Sequence, residues 1–258
     1  MNIKRILLTA GLFVFATVSI CFADTESVKY YDILNETQQH IYDAVLDNIY
    51  HKSETPVMVN YELTEDELKD VMESVIADNP GCYWYTSSYK YIRKHGRVYS
   101  VTVYKYENYN DPTAYTQAIQ DVIKDIKPED DYDTKIWKIY WKLRYNISFD
   151  KSDIDGGQSS YKALVEHNAV CAGYAKAFKE CCNAVGIDSY YIRGNAGAEH
   201  AWNMNVTSDG MLHFYDITFD DTHDNMLHYN MPFEQFEKDR TTNALSMKLI
   251  NKVTEIIL

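Results

Sequence analysis

A cysteine, a histidine and an aspartate in the second half of the chain are the residue types of a thiol site. Cys171 follows the polar Glu166-His167-Asn168. It opens a stretch of helical spacing in which Tyr174, Ala177, Phe178 and Cys181 share one face, and Gly186 stops it. The thiolate is the reactive form of cysteine, and both a helix N-terminus and a neighbouring imidazolium stabilise it. A base must then approach from elsewhere in the fold, with a third group holding its ring. His200 starts a β-like stretch 29 residues after Cys171, and Asp216 ends the next one, 16 residues further on.

Strand register decides whether these two meet. Side chains alternate faces, so a slip of one residue puts His200 and Asp216 on opposite sides of a sheet. A two-residue loop at Asp209-Gly210 would pair Asn203 with Asp216 and turn the carboxylate away from His200. A three-residue loop at Ser208-Asp209-Gly210, with Gly210 left-handed, would pair Trp202 with Asp216. His200 and Asp216 would then be diagonal neighbours on one face. The second loop is a common type, but the residues do not force it.

Three blocks resemble a known family. Val170-Cys171-Ala172-Gly173-Tyr174-Ala175-Lys176-Ala177-Phe178, Glu199-His200-Ala201-Trp202-Asn203 and Tyr215-Asp216-Ile217-Thr218-Phe219-Asp220-Asp221 look like the three motifs of the bacterial transglutaminase-like superfamily, in order. The likeness covers roughly residues 130–225. The first two blocks together are specific, whereas either alone is weak. Asn79-Pro80 and the aromatic segment after it also resemble the N-terminal region of secreted members. The resemblance implies a papain-like fold and a Cys-His-Asp triad carried by Cys171, His200 and Asp216. Phe219 stands where many relatives carry Trp, which alters a wall of the site and leaves the triad intact.

Other residues are candidates for lesser roles. An oxyanion needs a donor beside the Cys171 backbone N–H, and Tyr161 and Gln158 are both placed upstream for it. Asp216, Asp220, Asp221, His223, Asp224 and His228 form a run that could hold a cation. It lacks the Gly and Glu of a calcium loop, and we read it as a solvated acidic loop. Trp137 and Trp141 at helical spacing read as core. Cys82, Cys181 and Cys182 have no disulfide or zinc spacing, and the vicinal pair reads as buried small hydrophobes. Asn35, Asn146 and Asn205 head glycosylation sequons that matter only in a eukaryote, and the resemblance favours a bacterium.

The elements that must position the site follow from periodicity. Asn35 caps a helix with Ile41, Val45, Leu46 and Ile49 on one face, and Thr64-Glu65-Asp66-Glu67 is a capping box for another. Pro56 to Tyr61 reads as a strand. Cys82 to Tyr106 reads as a hairpin broken at His95-Gly96. Helices are expected over 114–126, 134–143, 161–166 and 171–185, a loop over 148–160, and strands over 189–193, 200–206 and 211–217. The expected fold class is α+β. A papain-like, transglutaminase-like core over 128–258, with the cysteine-bearing helix packed on an antiparallel sheet, follows an N-terminal α/β extension over 24–127.

Composition sets the class of protein. Of 258 residues, 46% are hydrophobic and 24% charged, as in a globular domain. The net charge of −13 argues against nucleic-acid or anionic-membrane partners, which call for a basic footprint. Lys4 and Arg5, the apolar run Ile6–Ile20 and Ala23 read as a secretory signal peptide over 1–23. Its roughly 15 apolar residues fall short of the ~20 that span a bilayer. Losing Lys4 and Arg5 takes the charge from −13 to −15. The expectation is a secreted or extracytoplasmic thiol enzyme with a protein or peptide substrate, without membrane contact after cleavage. It would act on peptide or carboxamide bonds through a thioester acyl-enzyme, with hydrolysis favoured over amine transfer. This chemistry requires no metal or organic cofactor. The alternative is a non-catalytic cell-envelope module binding peptide or glycan, suggested by Tyr83, Trp84, Tyr85, Tyr89 and Tyr91 in the hairpin.

Overall fold

The computed structural model describes residues 27–257, so the signal peptide expected over 1–23 lies outside the described residues. In the N-terminal part, α1 (Glu36–Tyr50) and α2 (Glu65–Asp78) pack against β1 (Val57–Met58), β2 (Tyr85–Lys94) and β3 (Arg97–Lys105). Both helices start as their residues dictate. Asn35 Oδ1 accepts the Gln38 N–H and Thr64 Oγ1 accepts the Glu67 N–H, each returned by the third residue's side chain. The three strands are antiparallel in the order β1-β3-β2. Their core joins Ile41, Val45, Leu68, Val71, Val101 and Val103.

The hairpin aromatics turn inward. Tyr83 and Tyr85 are buried, and Trp84, Tyr89 and Tyr91 pack half-buried on the core, with Trp84 Nε1 donating to the Ile49 carbonyl at 2.9 Å. The binding-module alternative therefore finds no exposed aromatic face at these five positions.

The rest of the chain runs α3 (Pro112–Ile123), α4 (Tyr132–Asn146), β4 (Ser148–Phe149), α5 (Ile154–Gly157), α6 (Ser160–Val165), β5 (Asn168–Ala169) and α7 (Cys171–Ala184). Then follow β6 (Tyr190–Asn195), β7 (Glu199–Val206), β8 (Leu212–Tyr215), α8 (Ile217–Thr222), β9 (Met231–Pro232), α9 (Phe233–Phe236), β10 (Thr241–Thr242) and α10 (Ala244–Ile257). The expected loop over 148–160 thus contains the short α5. Five antiparallel strands form one sheet in the order β10-β6-β7-β8-β9. Helix α7 is buried between two layers. Tyr174, Ala177, Phe178 and Cys181 pack with Tyr115, Ile139, Tyr140 and Leu164 of α3, α4 and α6, while Ala172 and Ala175 face Ile192, Trp202 and Met204 of the sheet. Cys181 and Cys182 are fully buried, as expected of small hydrophobes.

Two sequence expectations are corrected here. Trp137 and Trp141 are not core: they are 43% and 44% exposed and lie parallel to each other with ring centroids 5.6 Å apart. The buried face of α4 is Ile136, Ile139, Tyr140 and Leu143, one position round from the tryptophan stripe. The strand expected to run to Ile217 stops at Tyr215, because Asp216 Oδ1 accepts the Phe219 N–H at 3.1 Å and starts α8 as its N-cap.

Candidate active site

Cys171 is the first residue of α7. Val170 before it is extended and offers no side-chain cap, so the free amides of the first turn open beside the thiol. The motif glycine explains how the helix reaches this place. A Cβ on Gly173 would strike the Gly157 carbonyl oxygen and the Ala169 side chain, so only glycine lets α7 lie this close to the chain on either side of α6.

The β7–β8 register brings the other two residues to the thiol. Asn203 pairs with Tyr215 and Val206 with Leu212, Thr207 N–H donates to the Met211 carbonyl at 2.9 Å, and Gly210 has φ of +76°. This is the three-residue loop with left-handed glycine, and it sets Trp202 opposite Asp216. His200 Nε2 lies 2.8 Å from Asp216 Oδ2, which leaves Nδ1 as the free ring nitrogen, and Cys171 and His200 line the same cleft. Phe219 and Trp202 flank the ring, with centroids at 4.8 and 5.9 Å.

Charge is distributed along this row. Burial works against a charged Cys171, but the hydrogen bond and charge of His200, with the Ala201 N–H, outweigh it and hold the thiol below its usual range. Burial alone would lower His200, yet its bonds to Asp216 and Cys171 raise it to about 9. Burial would also raise Asp216, but His200, Arg240 and the Phe219 N–H hold its carboxyl below the usual range. Both shifts run in the direction of a thiolate–imidazolium pair.

Arg240 was not read from the sequence. Its Nη1 donates to Asp216 Oδ2 at 2.6 Å, with the guanidinium over the Phe236 ring at 4.0 Å. Its only sequence context, Glu237-Lys238-Asp239-Arg240, is that of a solvated surface, so no local signal marks it. The run Asp220–Asp224 is corrected in part: Asp220 and Asp221 lie on α8 and not in a loop, while His223 and Asp224 are exposed as expected. Asp220 is fully buried, where it accepts from Tyr140 Oη at 2.5 Å and from the His228 N–H at 2.9 Å. Asp221 accepts from Tyr174 Oη at 2.7 Å and Asp224 from Arg144 Nη2 at 2.9 Å. The carboxylates diverge, and among the described residues no three His, Cys, Asp or Glu side chains converge as a metal site.

A cleft of about 680 Å³ opens over the thiol. Gln158 lines it with Cys171 and His200, whereas Tyr161 is buried among Tyr83, Tyr109 and Tyr115. Of the two oxyanion candidates only Gln158 borders the site. The opposite wall comes from the N-terminal part, through Met72, Glu73 and Ile76 of α2 and Tyr89 of β2. No sequence pattern pointed to that wall.

Comparison with known proteins bears on the same region. The transglutaminase-like superfamily model matches residues 120–216. No curated protein matches the chain. Among solved structures, a TGase is similar at 16% identity and a TM-score of 0.39, over 65% of this chain and 52% of that one. A candidate cysteine protease from Cytophaga hutchinsonii is similar at 13% identity and a TM-score of 0.36, over 60% of this chain and 65% of its own. This chain thus spans less than two thirds of the length of either. The stretch that matches the transglutaminase-like superfamily model carries Cys171, His200 and Asp216.

Proposed function

We propose that the protein is a thiol enzyme that hydrolyses peptide or carboxamide bonds, with Cys171, His200 and Asp216 as its triad. The observation that carries this reading is Cys171 at the start of α7 sharing one cleft with His200, whose Nε2 is held by Asp216 at 2.8 Å. The Cys171 thiolate attacks the carbonyl carbon, and the oxyanion is taken up by the Cys171 N–H with the Gln158 amide beside it. The His200 imidazolium gives its proton to the leaving amine, which departs and leaves a thioester. Neutral His200 then takes a proton from water as the water attacks. Collapse returns the thiolate and releases the acid. Asp216 holds the ring orientation and supports the imidazolium through both steps.

Water is favoured as acceptor over an amine. Lys69, Lys151 and Arg193 line the cleft against two carboxylates, Glu73 and Glu199, which both face Arg193 at 3.1 and 3.8 Å. A lysine acceptor would meet like charge there, whatever the negative charge of the outer surface. The leader-like residues 1–23 support an extracytoplasmic setting and a protein or peptide substrate. A glutamine-bearing peptide library incubated with a labelled amine tests the reading. Cleaved or deamidated peptides without label are expected, and stable amine incorporation would overturn hydrolysis in favour of transfer.

A further inference from the structure

Arg240 sits across Asp216 from His200, on the segment between α9 and β10 and outside all three motifs of the thiol site. The same oxygen, Asp216 Oδ2, faces Arg240 Nη1 at 2.6 Å and His200 Nε2 at 2.8 Å. The Arg240 side chain is 0% exposed and that of Asp216 1%. A buried guanidinium is costly unless it is paired. Its neighbours here are the rings of Phe236, Phe219 and Trp202 and one outer carboxylate, Asp239, which accepts from Nε at 2.8 Å.

We infer that Arg240 is a positioning residue that closes a row of alternating charges, Cys171 thiolate, His200 imidazolium, Asp216 carboxylate and Arg240 guanidinium, so that the row holding the reactive ion pair has zero net charge. This rests on the thiol-enzyme reading above. Without Arg240 the same reactive state carries one uncompensated negative charge in a poorly polarisable surround. Forming the thiolate then becomes harder, and the imidazolium is held more tightly.

The other charges facing the row are arranged so as not to replace Arg240. Asp220 of α8 is taken up by Tyr140 of α4 and by His228, and Arg144 of α4 binds the Asp220 carbonyl. His228 Nε2 faces Asp239 at 3.5 Å on the outer side of Arg240. On the thiol side lie Arg193 of β6 and the buried Lys176 of α7, beyond His200 from Asp216. None of these cations contacts the Asp216 carboxylate.

The test is the pH profile of Cys171 alkylation by iodoacetamide, read by peptide mass mapping, in the wild type, R240Q and R240K. Glutamine keeps a donor and loses the charge, whereas lysine keeps the charge. The wild type should show two inflections, thiolate formation at low pH and imidazolium loss at high pH. In R240Q both should move up together, on the order of 1 pH unit, with R240K close to the wild type. A merely structural role predicts something else: Asp216 would swing free, imidazolium support would weaken and the upper inflection would fall. Two wild-type inflections that R240Q leaves in place, or a window that narrows, overturn the role of Arg240 and leave the thiol site standing. A wild-type Cys171 with the single inflection of an ordinary thiol overturns the thiol-enzyme reading and this inference with it. Should near-UV circular dichroism show R240Q unfolded, the wild type labelled with ¹⁵N-arginine decides. Guanidinium resonances of Arg240 that track both inflections support the row, and resonances that ignore them overturn it.

Discussion

His200 Nε2 and Asp216 Oδ2 stand 2.8 Å apart because Trp202, two residues beyond His200 on the same strand face, is opposite Asp216. The Ser208-Asp209-Gly210 loop sets that register, and a connection shorter by one residue would send the carboxylate to the far side of the sheet. Asp216 is then fixed at both oxygens, Oδ1 by the Phe219 N–H and Oδ2 by His200 and Arg240. The imidazole is therefore oriented before any substrate arrives.

Cys171 should alkylate at least tenfold faster than the other three cysteines of the folded domain at neutral pH. Burial pushes Cys82 up to about 12, with the Glu180 charge adding to it, and raises Cys181 and Cys182 above the usual thiol range. Iodoacetamide labelling with peptide mapping measures the four rates. Equal rates would remove the case for an activated thiol.

Asp216→Asn should lose between about 10² and 10⁴-fold in turnover, since asparagine supports the wrong imidazole tautomer. Cysteine leans less on its base than serine does, which places the loss below the upper figure. The same change leaves Arg240 buried without its buried anion, at a cost of about 3–5 kcal/mol. Denaturant unfolding should show that loss, and an unchanged midpoint would contradict the Arg240 pairing.

Folding raises the proton affinity of His200 from about 6.5 to about 9, so its contribution to stability is fully present below pH 6.5. It is lost as the pH rises through about 9. Asp216 acts in the opposite sense: its contribution holds above the ordinary carboxylate range and is lost as the pH falls through its lowered folded value. The stability difference between wild type and His200→Gln should shrink by on the order of 2–3 kcal/mol between pH 6 and pH 10. Unfolding curves at several pH values measure it, and a difference independent of pH would count against an imidazolium in the folded state.

Chelation of divalent ions should leave Cys171 labelling unchanged. Asp220, Asp221 and Asp224 are each engaged by a different protein donor, Tyr140, Tyr174 and Arg144. Labelling that falls with a chelator and returns with calcium would assign the Asp220–Asp224 turn a regulatory role.

Local residue pattern determined the starts of the helices and the placing of the thiol. Capping boxes at Asn35 and Thr64 act over one turn. The alternation through His200-Ala201-Trp202-Asn203 is likewise a property of one strand. Which register the next strand takes was left open by the residues, since two loops were compatible with them. Hydrogen bonds from Thr207 to Met211 and the sheet beyond them decided it. Arg240, the exposed Trp137 and Trp141, and the α2 and β2 wall of the cleft were all settled only in three dimensions. A charge in a charged stretch is buried, and an aromatic at helical spacing is exposed, according to what other elements place against them. For Arg240 that is Asp216 and three aromatic rings drawn from β7, α8 and α9, contacts made across the chain that no local pattern carries.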